Sequence, residues 1–100
     1  MNTSAPTSPV HVLLVEDHPL FREGLAQLVP SCRPGVHCTD VATASEALAR
    51  LAAGEVHFDW LLADLRLPDR DGWQLVAEAR RRWPSLGCVL ISGDDDPLAA

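Results

Sequence analysis

Short apolar runs alternate along this chain with stretches in which apolar residues recur every three or four positions. The run HVLLVE, His11 to Glu16, lacks polar alternation, the pattern of a strand covered on both faces. Pro19 suits the first turn of a following helix, where its missing amide hydrogen leaves nothing unpaired. Leu20, Phe21, Gly24, Leu25 and Leu28 fall on one face of that helix, and Pro30 to Gly35 break the pattern. Val36 to Ala42 is a second, weaker strand. Thr43 and Glu46 form a T-x-x-E capping box for a second helix, with the stripe Ala47, Leu48, Leu51 and Ala52 and an end at Gly54. Phe58 to Ala63 (FDWLLA) has the character of a buried third strand. Asp71 and Gln74 cap a third helix whose apolar face is Leu75, Val76, Ala79 and Trp83, and Pro84 stops it. Cys88 to Ile91 is a fourth strand, and Asp96-Pro97 opens a fourth helix that runs to Ala100.

Strands separated by helices of this length predict βαβ units, a parallel sheet and an α/β fold. Residues 1–9 (MNTSAPTSP) are small, polar and punctuated by proline, and are expected to be a disordered lead to a single domain over residues 10–100. There is no internal repeat. Sheets of this kind bind ligands at the carboxyl ends of their strands, beside the point where strand order reverses.

Composition narrows the functions. One hundred residues allow one small domain, and an apolar content of 47% suits a globular core. The net charge is −6, and all eight basic residues are arginines, with no lysine. Little positive charge is available to neutralise phosphates, which argues against direct nucleic-acid contact from this chain. Cys32, Cys38 and Cys88 lack C-x-x-C spacing and nearby histidines, and read as reduced, packed thiols. The N-terminus has no basic and apolar leader pattern, and no apolar run approaches the roughly 20 residues that span a membrane. A cytoplasmic protein without membrane contact is the expectation.

The chemistry lies at the strand ends. The first strand ends in Glu16-Asp17 and the third in Asp64, so a parallel sheet brings three carboxylates to one edge. Their repulsion raises their pKa values unless a cation neutralises it, and carboxylate oxygens with waters completing an octahedron suit magnesium. Other conspicuous residues read more plainly. His18 is a turn or surface residue before Pro19, Arg80 to Arg82 a solvated helix face, and Asp94 to Asp96 a cap for the fourth helix. Trp60, Trp73 and Trp83 read as core or core-edge packing.

The segments VLLVEDHPLFREGL, ADLRLPDRDG and VLISGDDDP resemble the receiver domains of two-component response regulators, over essentially Val10 to Ala100. An acidic pair closes strand one, Asp64 closes strand three with Pro68 and Gly72 at the family's intervals, and the hydroxyl of Ser92 closes strand four. The opening EDHPLFREGL is most similar to regulators that carry a LuxR-type helix-turn-helix output domain. The resemblance implies a flavodoxin-like, doubly wound parallel sheet in the order 2-1-3-4. It implies that Asp64 is the phosphoacceptor, taking a phosphoryl group from a histidine kinase or phosphotransfer protein. It also implies that Glu16, Asp17, Asp64 and the backbone carbonyl of Arg66 hold Mg2+, and that the Ser92 hydroxyl bonds the phosphoryl group and moves the next loop.

One part of the family pattern is absent. Receivers carry a lysine at the end of a fifth strand, followed by a fifth helix, and the family's spacing places both beyond Ala100. The chain is then either a fragment of a longer regulator or a naturally short receiver. An unpaired fourth strand and an uncovered sheet face would favour self-association. Besides a phosphoacceptor domain, a phosphorylation-independent interaction module stays open. A phosphatase acting through an aspartyl-phosphate usually has a second acid two residues after its nucleophile; here that residue is Arg66, so the chain is not expected to be an enzyme.

Overall fold

The computed structural model describes residues 9–92. Its elements are β1 (Val10–Val15), α1 (Pro19–Ser31), β2 (Val36–Val41), α2 (Ala44–Ala53), β3 (Trp60–Asp64), α3 (Gly72–Arg82) and β4 (Gly87–Ile91). The four strands are parallel and ordered β2-β1-β3-β4, the doubly wound order expected. The expected fourth helix and its Asp94 to Asp96 cap lie outside the described residues, as does the lead up to residue 8.

Local signals account for most element ends. The Thr43 side chain accepts from the Glu46 amide at 3.1 Å, while Glu46 Oε1 accepts from the Thr43 amide at 3.2 Å, so the capping box closes reciprocally. Gly54 ends α2 at φ 70°, a left-handed conformation that costs glycine little. Asp71 Oδ1 accepts from the Gln74 amide at 2.9 Å and starts α3.

Two boundaries differ from the expectation. Helix α1 continues through Pro30 to Ser31, because a proline in the last turn removes only one backbone bond. Strand β3 begins at Trp60, not Phe58. The carboxylate of Asp59 takes the His11 amide at 2.9 Å, a donor that a longer ladder would otherwise use.

The main core cluster lies on one face of the sheet. Leu13 and Val15 of β1, Val41 of β2, and Leu61 and Ala63 of β3 meet Ala47 and Leu51 of α2 and Leu75, Val76 and Ala79 of α3. Ala52, expected in the α2 stripe, is exposed. The other sheet face carries Val12, Leu14, Trp60, Leu62 and Val89, by the two-residue alternation of strands. Helix α1 buries none of its own residues, and Leu20, Phe21 and Leu28 are exposed. Of the three tryptophans, Trp83 packs on the core and Trp60 lies at its edge, whereas Trp73 is exposed, contrary to its reading as core or core-edge packing. The Trp60 ring lies over Gly87, where any β-carbon would overlap it. Arg80 to Arg82 are exposed as expected, with Arg82 over the Trp83 ring at 4.5 Å.

Candidate functional site

Strands β1 and β3 pair with Val15 opposite Ala63, so the next residues along each, Glu16 and Asp64, reach the same sheet edge. Both side chains are buried, at 0% and 1% exposure. Asp17 is half-buried beside them. Ligand atoms from Glu16, Asp17, His18 and Asp64 all lie within 4.8 Å of one another. Glu16 Oε1, Asp17 Oδ1 and Asp64 Oδ2 are buried and have no hydrogen-bond partner.

That arrangement is costly without compensation. Burying a carboxylate oxygen with no donor forfeits its hydration, and three such acids repel one another. All three unpartnered atoms are hard oxygen donors on acids that cluster together, the donor chemistry that suits a small divalent cation. The residues present therefore fit such an ion.

The backbone holds this edge in place. The Glu16 amide donates to the Val41 carbonyl at 3.1 Å, and Leu65 donates to Ile91 at 3.0 Å, extending the pairing past the strand ends. Arg22 of α1 reaches the Glu16 carbonyl at 3.4 Å while its Nε lies 3.2 Å from Asp40 Oδ2. Asp64 Oδ1 faces the Arg66 amide at 3.4 Å. The segment after Asp64 folds back tightly, with an isolated bridge between Arg66 and Asp71 and a 2.7 Å bond from the Gly72 amide to the Leu65 carbonyl.

Glu16, Asp17 and Asp64 thus converge as the sequence implied. Arg66 lies on the rim through its amide. Ser92 follows Ile91, the β4 partner of Asp64, so it sits at the adjacent strand end, exposed.

Two residues at this edge make contacts that the sequence reading does not name. His18 is exposed, as expected of a turn or surface residue, yet it also contacts Glu16. Its backbone amide donates to Glu16 Oε2 at 2.9 Å and its Nδ1 lies 2.6 Å from the same oxygen. With Nδ1 protonated, the imidazole donates to that oxygen. The hydrogen bond to Glu16, and then the negative charges of Asp17 and Glu16, hold the imidazole pKa above its usual value. Asp69, on the loop after β3, accepts from the amides of Ala44 at 3.0 Å and Ser45 at 2.8 Å and from the Ser45 hydroxyl at 2.8 Å. It ties that loop to the first turn of α2.

Comparison with known proteins places this edge in context. The response regulator receiver domain family matches residues 12–100. The probable transcriptional regulatory protein NarL of Mycobacterium tuberculosis is 36% identical over 89 residues, which are 88% of this chain and 40% of that protein. The DNA-binding transcriptional activator DevR/DosR of the same organism is 32% identical over 83 residues, 83% of this chain and 37% of that protein. The chain thus spans less than half the length of the curated relatives it matches. Among solved structures, the signal receiver domain of an HD domain-containing protein from Pseudomonas fluorescens superposes with a TM-score of 0.79 at 27% identity, covering 96% of this chain and 68% of that one. The chain belongs to the response regulator receiver domain family.

Proposed function

We propose that this domain is the phosphoacceptor of a two-component system and that Asp64 takes the phosphoryl group. The observation that carries the reading is the orphaned, buried Oδ2 of Asp64 beside the orphaned oxygens of Glu16 and Asp17. A carboxylate oxygen of Asp64 forms a P–O bond as the P–N bond of a phosphohistidine breaks, and the departing imidazole recovers a proton. Mg2+, held by Glu16, Asp17, Asp64 and the backbone carbonyl of Arg66, would offset the repulsion between two anions and steady the phosphoryl oxygens. Ser92, one residue past the β4 partner of Asp64, would hydrogen-bond a phosphoryl oxygen and pass the change on.

The partner on this reading is a histidine kinase or phosphotransfer protein, and the chain itself is a switch rather than an enzyme. The exposed Leu20, Phe21 and Leu28 of α1 also allow self-association. By analogy with DevR/DosR, the output is transcriptional and is carried by a domain outside this chain. A phosphorylation-independent interaction module does not account for three clustered acids that each bury an unpartnered oxygen. Among the described residues no helix is long and apolar enough to cross a membrane, and the expected setting is the cytoplasm.

Beryllofluoride, a mimic of the aspartyl-bound phosphoryl group, tests the reading in a thermal melt. With Mg2+ present it should raise the Tm of the wild type and leave Asp64→Asn unchanged. An equal rise in both proteins would remove Asp64 from the role.

A further inference from the structure

We infer that His18 is a positioning residue that fixes the Glu16 carboxylate so that only Oε1 is presented to a cation. The inference rests on reading the acid cluster as a divalent-cation site.

The geometry is specific. The amide and Nδ1 of His18, at 2.9 and 2.6 Å, grip one oxygen of Glu16, Oε2, while Nδ1 lies farther, 3.5 Å, from Asp17 Oδ1. The other oxygen, Oε1, is buried and has no partner. Two donors on one oxygen stop the carboxylate rotating about its terminal bond, so Oε1 keeps a single direction. Glu16 belongs to a cluster in which one ligand atom each from Glu16, Asp17, His18 and Asp64 lies within 4.8 Å of the others.

The position of His18 in the chain supports the same role. It is the N-cap residue of α1, yet its side chain makes no capping hydrogen bond. An N-cap side chain ordinarily accepts from the helix amides ahead of it. Here the ring is turned back onto Glu16 instead. It is also largely exposed, with 61% of its side-chain surface accessible, so its removal opens no core cavity. Outer partners that orient a metal-binding side chain typically contribute ten- to a hundredfold in metal affinity, at about that order.

Calorimetric titration of the full chain with magnesium chloride tests the role, with melts in EDTA to establish that each variant is folded. His18→Leu should weaken Mg2+ binding by about tenfold, whereas His18→Asn, whose side-chain amide can donate from near the Nδ1 position, should stay within about threefold of wild type. In a Glu16→Gln background, His18→Leu should make no further difference, because the group it orients has lost its charge. The inference is overturned if His18→Leu binds as wild type does, if His18→Asn is as weak as His18→Leu, or if the His18→Leu effect persists with Glu16→Gln. Absence of saturable Mg2+ binding by the wild type would instead overturn the cation-site reading, and the inference with it.

Discussion

The backbone of Gly72 packs so closely on the end of β3 that a β-carbon there would overlap the carbonyl oxygen of Asp64, with Leu90 Cδ2 2.9 Å away on the other side. Backbone cannot yield as a flexible side chain does, so a methyl group at position 72 must push α3 away from the strand that carries Asp64. Gly72→Ala should cost about 1–3 kcal/mol, the usual range for overpacking. Urea denaturation reads this directly. A midpoint equal to wild type would show that the loop absorbs the methyl without moving Asp64.

The sequence made this edge legible because a parallel sheet brings all its strand ends to one side. Three acids at two such ends could therefore be placed together without coordinates. The spacing of Leu20, Phe21, Gly24, Leu25 and Leu28 likewise predicts one face of α1. Periodicity says which residues share a face and not what covers it, and of these Leu20, Phe21 and Leu28 are exposed while Leu25 is half-buried. Trp73 misled for a related reason: size suggests burial, while helix rotation decides it. Asp69 was out of reach because its partners, Ala44 and Ser45, are 25 and 24 residues away and meet it only through the tertiary fold.

The Asp69 contact gives a prediction with a pH signature. Desolvation works against its charge, but hydrogen bonds from Ala44 and Ser45 outweigh it and hold the carboxyl below its ordinary value of 3.8. A carboxyl depressed by folding stabilises fully above its unfolded pKa, and that stability fades as the pH falls through the lower, folded value. Asp69→Ala should lose about 0.5–1 kcal/mol at neutral pH, discounted for the exposure of the site. Its deficit against wild type should shrink below the ordinary carboxyl value of 3.8. Denaturant melts across a pH series check both, and a deficit that grows on acidification would contradict the cap.

Neutralising the acidic pair separates metal binding from folding. Glu16→Gln/Asp17→Asn removes two of the three converging charges. Wild type should gain Tm on adding Mg2+ because the ion binds the folded state, and the double variant should gain nothing. In EDTA the double variant should melt no lower than wild type, since repulsion among the acids is relieved. A magnesium-dependent rise retained in the double variant would place the ion elsewhere.

The central claim is that Asp64, and no other carboxylate, accepts the phosphoryl group. Intact-mass spectrometry tests it after incubation with acetyl phosphate and Mg2+, comparing wild type with Asp64→Asn. The account predicts a mass increase of one phosphoryl group on wild type, lost in EDTA and absent from Asp64→Asn. The same increase on Asp64→Asn would contradict it.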